Sequence, residues 1–164
     1  MKVKVMRVAI ISLTAVVASY SSSRLRAKPP AIPQEAPSGP RSVWDGIFTE
    51  KQAKRGQLLF NQQCAACHGD TLTGGETAPP LSGGAFLANW NGLPVGDLFE
   101  RIRTQMPLNK PGKLNREANA DITAYILSVN QFPAGQTELA HDTQLLKQIR
   151  FDATKPDQSN KKKE

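Results

Sequence analysis

The residues with the clearest chemical potential form one pentapeptide, Cys64-Ala65-Ala66-Cys67-His68, which contains both cysteines of the chain. Two thiols separated by two residues can each add across one vinyl group of a haem to form a thioether. The imidazole next to the second thiol can then reach the iron as an axial ligand. The spacing therefore predicts one covalently bound haem c, held by Cys64 and Cys67 and ligated by His68.

The same Cys-x-x-Cys spacing also occurs in disulfides, in thioredoxin-like redox pairs and in zinc sites. A zinc site needs further ligands, and the chain has only one other histidine, His141. A thioredoxin-like fold needs a strand before the motif and alternating strands and helices after it, and the sequence pattern shows neither. The haem interpretation is therefore favoured over these alternatives.

A low-spin haem iron needs a second axial ligand, and the chain offers few candidates. The other two methionines lie within the first six residues, so Met106, 38 residues after His68, is the only one in the predicted globular part. A methionine in isolation is ordinarily core filling. With the haem motif present, Met106 becomes the preferred iron ligand. His141 is the rival ligand; otherwise it is a solvent-facing residue on a polar segment.

The segments around these residues have the apolar periodicity of helices. Thr49 predicts the N-cap of a helix that runs to about Gln63. A shorter helix from Asp97 leads up to Met106 and must end before the following proline. Asn115 predicts the cap of a third helix, the most clearly amphipathic of the three.

Residues 69–92 contain six glycines and two prolines and are expected to form an irregular loop. A loop of this length inside a small domain is unusual unless a cofactor provides the surface on which it packs. The predicted fold class is therefore all-α, a small fold with three main helices and long loops packed around one haem.

Over residues 43–132 the chain resembles the class I cytochrome c family. It looks most similar to the single-haem domains found beside quinoprotein dehydrogenases in bacteria, because its loops have the same character. The segments that carry the resemblance are the helix with Gly56 and Phe60, the pentapeptide with Gly69, Pro79-Pro80-Leu81, Met106-Pro107, and the helix of residues 115–130 with Tyr125.

The resemblance implies roles for particular residues. In the family a proline carbonyl accepts the N–H of the proximal imidazole, a role that falls here to Pro79 or Pro80 and that would fix the ring. A tryptophan often donates a hydrogen bond to a haem propionate, and Trp90 is placed to do so; otherwise it is an ordinary packed indole. Where the first and last helices cross, the residues implied to be in contact are Gly56, Phe60 and Tyr125.

The N-terminus has the pattern of an export signal. Three basic residues precede the apolar run 8–18, whose eleven residues are too few to span a bilayer core of roughly 30 Å. We therefore predict a signal peptide at residues 1–27 and a periplasmic or otherwise exported bacterial protein. The alternative is an uncleaved membrane anchor, and contact with a membrane is expected only in that case.

The remaining segments differ in composition from the cytochrome-like domain, residues 43–132. Residues 28–42 are proline-rich and are expected to form an extended linker. Residues 133–152 contain enough large apolar residues to pack on or near the domain, with a short helix at residues 143–148. Residues 153–164 are polar and charged and are expected to be disordered.

The formal charge of +7 is concentrated at the two ends of the chain. Residues 41–134 contain nine basic and eight acidic residues, a net charge of +1. The folded part therefore has no basic face that would favour binding to nucleic acid.

If His68 and Met106 both ligate the iron, no coordination position is open, and the predicted function is electron transfer rather than catalysis. The expected partners are redox proteins: a dehydrogenase as donor, and an oxidase or another cytochrome as acceptor. The alternatives are a haem subunit fixed in a dehydrogenase or membrane complex, and an open-site haem enzyme. The side chains expected to enclose the porphyrin are Leu81, Phe86, Phe99 and Ile102.

Overall fold

The computed structural model describes residues 41–76 and 78–156. The predicted signal peptide, residues 28–40 of the predicted linker and residues 157–164 of the predicted tail lie outside them. Within these residues, helices predominate and the two strands are only two residues long, so the predicted all-α fold class is confirmed. The elements are β1 (Arg41–Ser42), α1 (Glu50–Gln63), α2 (Ala65–His68), α3 (Gly83–Trp90), α4 (Val95–Gln105), α5 (Arg116–Val129), α6 (Thr143–Lys147) and β2 (Ile149–Arg150).

Helices α1 and α5 begin at the residues that the sequence predicts. The hydroxyl of Thr49 accepts a hydrogen bond from the backbone N–H of Gln52 at 3.1 Å. The side-chain oxygen of Asn115 accepts one from the N–H of Ala118 at 2.8 Å. Each cap satisfies a backbone donor that has no partner within its own helix. No helix of the described residues is long and apolar enough to cross a membrane.

The two capped helices cross at a glycine, as the resemblance implied. A Cβ atom added to Gly56 of α1 would lie 1.8 Å from the carbonyl oxygen of Asp121 in α5. Next to this contact, the rings of Phe60 and Tyr125 lie 5.4 Å apart, centre to centre. The guanidinium of Arg55 also binds the Asp121 carboxylate at 2.8 Å. The expected contact of Gly56 and Phe60 with Tyr125 is thus confirmed.

Replacement of Gly56 by alanine is expected to lower the free energy of unfolding by about 3 kcal/mol, the upper part of the usual range for overpacking. The obstructing atom is a backbone carbonyl, which cannot rotate away from the new methyl group. Gly84→Ala is the matched control, because a Cβ atom there meets nothing within 4 Å. Guanidinium unfolding of the two haem-loaded variants, followed by circular dichroism, measures the difference. Equal stability of G56A and G84A would show that the helices are not packed this closely.

The predicted irregular loop of residues 69–92 is wrong over its second half, where Gly83–Trp90 form helix α3. The ring of Phe86 is 2% exposed and packs against that of Phe151, with the centres 5.9 Å apart. The side chain of Asn130 accepts from the N–H of Gly83 and donates to the carbonyl of Leu81. These distant contacts outweigh the low helix propensity of the two glycines.

Helix α4 begins at Val95, two residues before the predicted start at Asp97. Pro94 occupies the N-cap position, and its carbonyl accepts from the N–H of Asp97 at 3.0 Å. The earlier start places Val95 in the core, where it is fully buried. Asp97 therefore lies in the first turn, where a carboxylate is favourable because the N-terminal end of a helix is electropositive.

A C-terminal strap, defined as residues 139–152, covers the domain. Its helix at Thr143–Lys147 matches the short helix predicted there. The strap buries four large apolar side chains and leaves Leu145 54% exposed. Its strand β2 pairs in parallel with β1, whose two residues were assigned to the linker from sequence. The buried residues of the strap are Leu139, Leu146, Ile149 and Phe151.

Candidate haem-binding site

The pentapeptide occupies the junction of α1 and α2. The N–H of Cys64 closes α1 by donating to the carbonyl of Phe60 at 2.8 Å, and the carbonyl of Cys64 accepts from the N–H of His68 at 3.0 Å. The motif is thus wound into a single helical turn. This turn leaves Cys64 half-buried, Cys67 exposed and His68 only 7% exposed.

The two cysteines are free thiols that do not form a disulfide with each other. Burial, and to a smaller extent the neighbouring Cys67, raises the pKa of the Cys64 thiol to about 11. A redox-active Cys-x-x-Cys pair has the opposite property, because its nucleophilic thiol has a lowered pKa. The environment of Cys64 therefore does not favour thioredoxin-like exchange.

The imidazole of His68 is oriented by the loop that follows it. Its Nδ1 lies 2.9 Å from the carbonyl oxygen of Pro79. Because a carbonyl oxygen can only accept, Nδ1 carries the proton, and Nε2 is the nitrogen left for a metal. The loop itself is held by backbone hydrogen bonds from Gly74 to His68 and from Leu81 to Leu72. Of the two prolines considered from sequence, Pro79 makes this contact.

A cavity of about 870 Å³ lies in front of this imidazole, and both His68 and Met106 line it. Its size falls within the range of roughly 300–1,000 Å³ that cofactor sites usually have. Helices α3 and α4 and the loop of residues 79–81 supply the wall. Besides Met106 and Trp90, the apolar lining residues are Pro79, Pro80, Leu81, Phe86, Leu93, Leu98 and Ile102.

Of the other residues that the sequence suggested for the haem site, some line the cavity and others lie elsewhere in the protein. Trp90, the last residue of α3, lines the cavity. Phe99 does not, because its ring is fully buried in the core on another side of α4. The rival ligand His141 is also outside the lining; its side chain is 56% exposed and lies 3.7 Å from the Glu117 carboxylate.

Four polar residues that line the cavity are not predicted from the sequence to belong to the site: Asn89, Asp97, Arg101 and Gln105. Three of them belong to α4 and recur every fourth residue. This spacing places them on one face of the helix. The same face carries Leu98 and Ile102, and Met106 directly follows the last residue of α4. The repeat of four residues counted back from Gln105, the residue before Met106, is therefore the sequence signal by which Arg101 and Asp97 could be found.

The residues of the cavity fit a haem. An imidazole nitrogen and a thioether sulfur suit iron, and they line one cavity whose wall is otherwise largely apolar. In the described part of the chain, no group of three or more His, Cys, Asp and Glu side chains is placed to hold a bare metal ion. The roles of Cys64, Cys67, His68, Met106, Pro79 and Trp90 toward a haem stay predictions.

Comparison with known proteins identifies one family model. Residues 51–126 match the family described as cytochrome c oxidase, cbb3-type, subunit III. No match was found among curated protein sequences. Among solved structures, the chain is similar to the sulfane dehydrogenase SoxCD from Paracoccus pantotrophus, with 21% identity and a TM-score of 0.49; the match covers 85% of this chain and 76% of that chain.

Proposed function

We propose, because residues 51–126 match the family of cbb3-type cytochrome c oxidase subunit III, that this chain contains a class I c-type cytochrome domain and is an exported mono-haem electron carrier. The observation that carries the proposal is the placement of His68 and Met106 in one cavity. If His68 and Met106 together held the iron of a haem, they would leave no coordination position for a substrate. The protein then transfers single electrons and is not an enzyme.

A bound haem supplies a one-electron couple between ferrous and ferric iron. The protein residues hold this group and adjust its potential. Cys64 and Cys67 would hold it covalently. Pro79 fixes the ring of His68 and raises the basicity of its free nitrogen. Met106 would be a soft sulfur ligand and would favour the ferrous form relative to a second histidine. The apolar wall acts in the same direction, because it disfavours the extra positive charge of the ferric form.

The proposal also covers export of the protein and the exchange of electrons with redox partners. The N-terminal pattern of residues 1–18 supports export to the periplasm, where thioether-linked haem would be attached. Donor and acceptor would be redox proteins, a dehydrogenase on one side and an oxidase or another cytochrome on the other. Contacts with such partners are expected to be small and transient, as in other redox encounters.

The second candidate is a haem subunit fixed in a larger complex. It is supported by the matched family, which is described as a subunit of an oxidase. Size-exclusion chromatography of the natural material separates the two candidates. Co-elution with a larger assembly through high salt would favour the fixed subunit, whereas elution as a free small protein would favour the diffusing carrier.

The optical spectrum tests the ligand assignment. The full chain is expressed with a bacterial haem-maturation system and measured oxidised and then reduced. We expect a weak far-red band, from charge transfer between ferric iron and methionine, that disappears on reduction. A haem spectrum without this band would remove Met106 as the ligand and would favour His141 or an open-site enzyme. A chain without bound haem would overturn the proposed function.

A further inference from the structure

Helix α4 places one basic side chain in the wall of the cavity. Among the described residues, Arg101 is the only arginine or lysine that lines it. The residue is also solvent-exposed, so it stands at the boundary between the apolar interior and water. No hydrogen bond or ion pair of its guanidinium with a described residue is found, although the neighbouring charged side chains are paired.

The charged side chains near Arg101 have partners, whereas Arg101 has none among the described residues. Arg103, two residues further along α4, binds the Glu100 carboxylate at 2.7 Å. Asp97, one turn before Arg101 and also in the wall, lies 4.0 Å from the ammonium of Lys147 in α6. Among the described charged residues of α4 in the cavity wall, Arg101 is therefore the one without a counterion.

We propose that Arg101 binds a propionate carboxylate of the haem and neutralises its charge. This inference rests on the proposed function, since it requires the haem. A guanidinium presents several N–H donors in one plane and matches a carboxylate with two parallel hydrogen bonds. Haem provides two carboxylates, and burial of an unpaired carboxylate at an apolar wall would be unfavourable. Arg101 would therefore share the role toward the propionates that the family resemblance implies for Trp90.

A paired propionate has a consequence for the reduction potential. An ionised carboxylate near the iron favours the ferric form and so lowers the potential, while a guanidinium bound to it cancels this effect. The guanidinium also lowers the pKa of the propionate, which keeps it ionised. With Arg101 present, the potential should therefore depend little on pH between pH 5 and pH 9.

The test is a redox titration of the haem-loaded full chain across this pH range, with Arg101→Gln compared with wild type. Above the propionate pKa, the variant carries an uncompensated negative charge, and its potential is expected to fall below that of wild type. At low pH the propionate becomes protonated and neutral. The potentials of variant and wild type are then expected to converge.

Three further variants separate this pairing from other effects. Arg103→Gln removes a cation from the same helix but not from the cavity wall, so its potential should follow wild type. Arg101→Lys keeps the charge and should restore most of the potential. Asp97→Asn removes the other ionisable side chain of α4 in the wall. Introduced into both wild type and R101Q, it should leave the difference in reduction potential between the two proteins unchanged.

A constant difference between R101Q and wild type at every pH would show that Arg101 acts only as a distant charge, and would overturn the pairing. A pH profile of the potential of R101Q that is identical to that of R103Q would also overturn the pairing. Both of these results can be obtained only with protein that contains haem, which the optical spectrum shows. Failure to bind haem would instead overturn the proposed function, and the two failures are therefore distinguishable.

Discussion

Replacement of Cys64 or Cys67 by alanine is expected to abolish normal haem attachment. Each thiol supplies one of two thioether bonds, and no other cysteine occurs in the chain. Loss of either leaves one vinyl group unreacted and the porphyrin held at one side only. The expected result is near-complete loss of the mature holoprotein, measured as haem that stays with the polypeptide on a denaturing gel and as the haem mass in mass spectrometry.

Ala66→Ser is the matched control for these variants. Ala66 lies between the two cysteines and is exposed, so a hydroxyl there changes the motif without changing the thiol spacing. This variant should mature like wild type. A wild-type holoprotein in which the haem keeps two intact vinyl groups would contradict the assignment of the motif.

The second large effect is expected at Met106. Met106→Ala should leave the haem attached but open one coordination position, so that reduced protein binds carbon monoxide. In wild type the methionine must first dissociate, and such minor states are populated at about 0.1–10%. Apparent affinity scales with this competent fraction, so the variant should bind about 10- to 1,000-fold more tightly. Titration of the reduced protein with carbon monoxide, followed by the main haem absorption band, gives the affinity.

Two control variants make this result specific. Leu108 is two residues from Met106, is 78% exposed and does not line the cavity, so Leu108→Ala should bind carbon monoxide as weakly as wild type. His141→Ala tests the rival ligand in the same titration. If M106A binds no more tightly than wild type and H141A does, the ligand is His141 and not Met106.

The C-terminal strap supports the wall of the cavity through its hydrogen bonds to the rest of the domain. The backbone of Phe151 exchanges hydrogen bonds with Gly92 and Leu93, at 2.7 and 2.8 Å. These two residues connect α3 with α4, and Leu93 itself lines the cavity. The side chain of Gln52 in α1 binds both backbone groups of Leu139, which fixes the other end of the strap. The strap therefore holds together the two helices that form the wall.

Local chemistry in the sequence was sufficient for several features of this protein. The caps at Thr49 and Asn115 depend on residues close together in the chain. The crossing at Gly56, which the family resemblance implied, depends on one strong steric requirement. A cap needs only its own side chain and the backbone three residues on. A position with no room for a Cβ atom accepts only glycine. Such features are visible from residue type and spacing.

Other features depended on contacts between distant residues, and only the tertiary structure decided them. Helix α3 forms in a glycine-rich stretch because Phe86 packs on Phe151, 65 residues later. The choice of Pro79 over Pro80 depends on the path of a loop, and the position of Arg101 in the cavity wall depends on how α4 is rotated against α3. The sequence by itself determined which chemical groups are available and where the first and last helices begin. The tertiary structure decided which of those groups share one cavity, because that depends on packing free energy summed over the whole chain.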